Sequence, residues 1–148
     1  MTHGNIESAC CLINSETYKP LQSIKMENER VEFAVSNAEY DVLVIEMIAS
    51  YGMPVGQEVF DTCVWIGRFK ELAIINNKKV DYIYRKEEKI NLCGSMKAKD
   101  SNIRQALIDR FGNVGTKKSP GWFYGFKKDI WSAYAVGVTY LDKQKGVK

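Results

Sequence analysis

The stretch Asp41-Val42-Leu43-Val44-Ile45-Glu46-Met47-Ile48-Ala49 decides the fold. It is a continuous apolar run, as expected of a strand buried on both faces of a parallel or mixed sheet. Its anomaly is Glu46, because a carboxylate inside such a run is costly to bury unless it is paired or bound to a metal. Two placements follow from the residues alone. Glu46 faces solvent at the strand's end, or it serves a site.

Reading outward toward the C-terminus, residues 51–54 form a loop with Gly52 and Pro54, and a helix is predicted over residues 56–76. Val59, Phe60, Cys63, Val64, Ile66 and Gly67 supply its apolar stripe, and two asparagines and two lysines end it. Residues 80–84 read as another short strand, so strand, helix and strand make a right-handed crossover. Asp100 or Ser101 caps the next helix, which carries Ile103, Ala106, Leu107 and Phe111 at helical spacing and stops at Gly112. Residues 113–126 are a Gly-rich basic loop. The last helix starts near Lys128, with Ile130, Ala133, Tyr134, Gly137, Val138 and Leu141 on its core face.

Toward the N-terminus, residues 7–14 and 20–26 read as two strands of a hairpin around Ser15, Glu16 and Thr17. Residues 26–36 read as a short strand running into a helix. The pattern is α/β with a mixed sheet. Residues 1–142 form one domain and residues 143–148 a basic tail prone to fray.

Composition bounds the function. A chain of 148 residues holds one domain with a real core. No apolar run is long enough to span a bilayer, so no membrane partner is expected. No basic segment followed by an apolar one opens the chain, which does not read as a secretory precursor. A net charge of +3 permits nucleic acid binding without demanding it. Cys10, Cys11, Cys63 and Cys93 lack metal-ligand spacing, and His3 is the single histidine, so a zinc site is not expected. The cysteines read as reduced core thiols of a cytosolic protein.

Four stretches together resemble one family: Val42 to Glu46, Pro54 to Gly67, Lys89 to Arg110 and Asp129 to Thr139. In that order they resemble the RuvC-type Holliday junction resolvases of the ribonuclease H-like superfamily, nearer the phage-associated versions than the cellular ones. The resemblance runs from about Gly4 to Asp142. It implies a ribonuclease H-like fold, a mixed five-stranded sheet with its first strand truncated, flanked by helices. In the third stretch it implies a basic strand, a glycine, an Ala-Lys pair and a helix.

The resemblance also implies an activity: a structure-selective endodeoxyribonuclease that uses two Mg2+ ions, or Mn2+ in their place, on branched DNA such as four-way junctions. Two ions flanking a phosphate activate water on one side and stabilise the leaving oxygen on the other. Glu46 would be the acid ending the fourth strand and Asp129 the acid of the last helix. Ser132 stands where many members carry a second Asp, and could hold a metal-bound water. The acid of the first strand falls on Thr2, so that acid is absent; Glu7 and His3 are weaker substitutes. A branched-DNA-binding protein with an impaired metal site is therefore the alternative. A nuclease for RNA–DNA hybrids would use the same acids.

Lys89, Lys97, Lys99, Arg104, Lys117 and Lys118 would contact phosphates, and Trp122 would stack on unpaired bases. The same residues fit a solvated basic face and a core tryptophan. The resemblance further implies a homodimer, with residues 56–67 as candidate dimer face, in the cytoplasm of a bacterial host or phage-infected cell.

Overall fold

Asn14 turns the chain back on itself: its side-chain oxygen accepts from the amides of Glu16 at 2.9 Å and Thr17 at 3.0 Å. The turn joins β1 (Glu7–Ile13) to β2 (Pro20–Glu27), which pair antiparallel. This is the computed structural model of the protein, and it describes residues 1–147. The chain continues through α1 (Asn28–Asn37), β3 (Val42–Met47), α2 (Gln57–Ile75), β4 (Lys79–Tyr84), α3 (Arg85–Cys93), α4 (Asp100–Phe111) and α5 (Lys128–Lys145). β3 and β4 pair in parallel, the geometry that the α2 crossover demands.

The described residues contain four strands in two two-stranded sheets, not five strands in one. Residues 1–3 are too short to form a strand and supply only a bridge between Thr2 and Ala9. That bridge nevertheless ties the sheets together. Thr2 and Ala9 exchange backbone hydrogen bonds of 2.9 and 3.1 Å. On the other side the Met1 nitrogen donates to Val44 O, and Glu46 N donates to Met1 O, both at 2.9 Å.

α1 and α2 cover one face, where Val31, Val35, Ile45, Ile66 and Phe69 are buried together. α5 covers the other face and packs α3 and α4 on its far side, so it is buried almost all round. Around it lies an aromatic cluster: Phe123 meets Tyr134 edge-on at 5.3 Å, and Phe111 stacks on Trp122 at 5.4 Å. Residues 113–126 are thus a packed loop. A Cβ on Gly121 would lie 2.1 Å from the Asn113 carbonyl oxygen, so only glycine permits that closure.

Several expectations need correction. The stretch from Lys89 is helix α3, not a basic strand: Glu87 accepts from the Tyr84 amide at 2.8 Å to start it, and Gly94 at φ 71° stops it. Residues 26–36 contain no separate strand, because β2 runs to Glu27 and α1 follows at once. In α2 the predicted stripe mixes two faces. Thr62, Ile66, Phe69 and Ala73 face the sheet, whereas Phe60, Cys63, Val64 and Gly67 are exposed. The four cysteines are free, but Cys63 is exposed and the others only partly buried. The boundary after residue 142 falls inside a helix, since α5 continues to Lys145.

The buried Asp142 anchors α5. Arg110 grips it with two 2.7 Å contacts, and Tyr18 and Asn91 each donate at 2.8 Å. Burial would raise the Asp142 pKa, but these hydrogen bonds outweigh it and hold the carboxyl below its ordinary value. A depressed carboxylate stabilises the fold above its unfolded pKa and loses that contribution as pH falls through its folded pKa. Arg110→Ala leaves the carboxylate buried without its ion partner. It is expected to cost about 3–5 kcal/mol in urea unfolding at pH 7, with a smaller difference from the parent near pH 3.

Candidate functional site

The end of β3 and the start of α5 converge on a cavity of about 360 Å³ at the residue 1–3 segment. Glu46, Asp129 and Ser132 line it, with Thr2, His3 and Lys25. Glu46 arrives there because β3 is pinned on both sides, by β4 and by Met1. Asp129 lies in the first turn of α5, where the helix dipole favours an anion, and Ser132 follows one turn later.

Each carboxylate already has a cation. Lys25 Nζ lies 2.6 Å from Asp129 and 3.7 Å from Glu7. The Asp129 contact raises the Lys25 pKa. Arg85 lies 3.8 Å from Glu46 and 2.8 Å from Glu88, and it also pairs with Asp100. Glu88 is fully buried, and burial pushes its pKa up; the neighbouring Glu46 carboxylate pushes it further, against the pull of Arg85. Glu88 is therefore protonated at neutral pH.

His3 closes the floor. Its Nε2 contacts the Glu46 carbonyl oxygen, so Nε2 carries the proton and Nδ1 is left as a buried acceptor without a partner. Burial lowers the His3 pKa and keeps the ring neutral. Glu46 Oε2 likewise has no hydrogen-bond partner. The Thr2 hydroxyl donates to the Asp129 carbonyl at 3.4 Å and offers no negative charge. Asn28 fixes the adjoining loop by donating to Gly4 O and accepting from Ser8.

No family model matches the chain. An alignment 147 positions long is 27% identical to the RecBCD enzyme subunit RecC of Buchnera aphidicola subsp. Acyrthosiphon pisum (strain APS). It covers 80% of this chain but only 13% of that relative's length. Among solved structures, Thermus thermophilus RuvC matches with a TM-score of 0.71 and 11% identity, over 99% of this chain and 94% of the other. The same protein in complex with a Holliday junction substrate matches with a TM-score of 0.71 and 10% identity, over 99% and 93%. The fold is RuvC-like.

On this RuvC-like fold the structure brings together Glu46, Asp129 and Ser132, the three site residues that the sequence nominates. The basic side chains are spread more widely. Lys97 and Lys99 are exposed on the α3–α4 connection, and Arg104 lies over the Trp131 ring at 5.4 Å. Lys117 and Lys118 sit exposed at the tip of a turn closed by Thr116 and Ser119, and Lys89 is half-buried on α3. Trp122 is packed rather than presented: one ring face stacks on Phe111, and its indole N–H donates to Tyr134 at 3.1 Å. Sequence reasoning missed Lys25, Arg85 and Glu88. The run Arg85-Lys86-Glu87-Glu88-Lys89 reads as a solvated helix, and nothing in it singles out the buried glutamate.

The side chains do not fit a two-ion centre as they stand. Among the described residues no three of His, Cys, Asp and Glu stand close enough to hold an ion together. Lys25 pairs with Asp129 at 2.6 Å and Arg85 stands 3.8 Å from Glu46, so each acid that would have to bind Mg2+ has a competing cation beside it.

Because Glu88 is neutral when folded and ionised when unfolded, it makes stability fall as pH rises above the usual carboxylate range. Glu88→Gln keeps a neutral side chain of the same shape. Its unfolding free energy is expected to stay within about 1 kcal/mol of the parent at pH 5 and to fall less steeply toward pH 9. Denaturant unfolding across that range checks the slope.

Proposed function

We propose that the chain is a DNA-junction protein of the RuvC kind, which binds four-way junctions and carries, at the Glu46–Asp129 cavity, a nuclease centre short of its full donor set. The convergence of Glu46 and Asp129 on one polar cavity of a RuvC-like fold carries this reading. The residue 1–3 segment lies between β1 and β3, and that placement supports a ribonuclease H-like reading with its centre in this cavity. Lys97, Lys99, Arg104, Lys117 and Lys118 supply phosphate contacts, while Trp122 contributes packing to the loop that bears the last two. On this reading the chain works in a bacterial cytoplasm and belongs with the phage-associated branch, whose divergent sequences it resembles.

With threonine where the resemblance puts the first acid, binding without hydrolysis is the expected activity. A labelled four-way junction should be retained in preference to linear duplex and remain uncut in Mg2+ or Mn2+. The affinity must weaken with salt, since each neutralised phosphate releases counterions. Replacing Lys117 and Lys118 by alanine should lower the salt slope by about 2. Salt-insensitive or absent junction binding would overturn the proposal.

A second reading, an active Mg2+- or Mn2+-dependent junction-resolving endonuclease, is favoured by the unpartnered Glu46 Oε2 and His3 Nδ1. Those acceptors suit a cation once Lys25 and Arg85 turn away. Paired nicks that vanish with EDTA would establish it for the chain as it stands. Under the first reading, nicking appears only after Thr2→Asp supplies the missing acid.

A twofold dimer would match a four-way junction, and α2 offers the face: Phe60 and Val64 are 55% and 63% exposed beside the exposed Cys63 and Gly67. Val64→Glu is expected to shift the chain from dimer to monomer in sedimentation and to weaken junction binding about tenfold or more.

A further inference from the structure

Thr2, Ala9 and Lys25 form one row across the strands at the Glu46–Asp129 cavity. Thr2 bridges to Ala9, and Ala9 pairs with Lys25 of β2. Residues directly opposite one another in antiparallel pairs share a face, so these side chains point to the same side, and all of them line the cavity. Ala9, in the middle of the row, is buried against Ile130 and Ala133 of α5. Its methyl group leaves the long stem of Lys25 room to reach the start of α5.

The Lys25 ammonium ends 2.6 Å from Asp129 Oδ2 and 3.7 Å from Glu7 Oε2. Glu7 stands two residues before Ala9 on β1, hence on the same face. Among the described residues that line the cavity, Glu7, Glu46 and Asp129 are acids, and Lys25 is the one lysine or arginine. Arg85 approaches Glu46 from outside this lining. Acids brought this close disfavour one another's charged forms unless a positive charge stands among them. A compact, rotatable ammonium suits that place. It also arrives on a tether: a free ion must displace it against an effective concentration on the order of millimolar. A divalent ion would need oxygens arranged around it, and Lys25 already takes up Asp129 Oδ2.

We propose that the Lys25 ammonium is the resident cation of this cavity and excludes divalent ions from it. Lys25 is thus the residue that decides whether the acids take an ion. While it is in place the chain meets DNA with no divalent ion there, and the acids accept one only when the ammonium is gone. The inference deepens the functional proposal and rests on its placement of the centre at Glu46 and Asp129.

Mn2+ titration, followed by electron spin resonance and calorimetry, compares the full chain with Lys25→Met and Lys25→Arg. The parent and Lys25→Arg are expected to show no saturable site below about 1 mM. Lys25→Met keeps the stem without the charge and should bind one Mn2+ at least about tenfold more tightly than the parent. Adding Asp129→Asn to Lys25→Met should remove the gain. A second measurement needs only the parent: at about 1 mM Mn2+ the amides of Thr2, Ala9 and Asp129 should keep their NMR line widths. Equal Mn2+ affinity in the parent and Lys25→Met, or broadening at those amides in the parent, would overturn the inference. So would a gain that survives Asp129→Asn, because the ion would then sit elsewhere. Junction binding by the parent chain tests the functional proposal separately, so either can fail alone.

Discussion

Two residues of backbone hold the halves of this molecule together. Met1 bonds to β3 and Thr2 to β1, and without those hydrogen bonds the hairpin and the parallel pair would be separate two-stranded ribbons. Such ribbons have little stability alone, so the helices must clamp them. α5 does most of this: it packs on β1, β2, β3 and β4 while α3 and α4 close its far side. The constraint also explains the site. Glu46 N is bonded to Met1 O, His3 touches the Glu46 carbonyl, and Thr2 reaches the backbone of Asp129. The segment that joins the sheets is thus the floor on which the two carboxylates meet.

The electrostatics of that floor are those of a guarded site. Lys25 and Arg85 stand beside Asp129 and Glu46, and burial keeps Glu88 protonated in their midst. The unpartnered acceptors on Glu46 and His3 show the compensation to be incomplete. The arrangement brings two acids to one polar cavity and sets an internal cation beside each of them.

Periodicity made most of the elements legible. The apolar run at residues 42–47 packs toward α1 and α2 on one face and α5 on the other, with Ile45 fully buried and its neighbours half-buried, and the spacing from Ile130 to Leu141 is the core face of α5. Glu46 was legible as an exception within its run, and Asp129 through a family pattern. Trp122 was ambiguous, because an aromatic in a Gly-rich basic loop reads equally as a stacking platform or as core. Lys25 lies on a hairpin strand and Glu88 in a charged run, and in neither does local pattern mark a residue aimed at a site far along the chain.

By itself the sequence determined where most helices and strands lie, α3 excepted, which carboxylate breaks its apolar surroundings, and that threonine stands where the resemblance expects a first acid. These are local properties, set by side-chain period, turn chemistry and residue identity. Tertiary structure alone decided that residues 1–3 bridge two sheets, and that Lys25 and Arg85 come to stand beside Asp129 and Glu46. Those depend on which distant backbone edges and charges come within a few ångströms of one another, and no spacing along the chain encodes that distance.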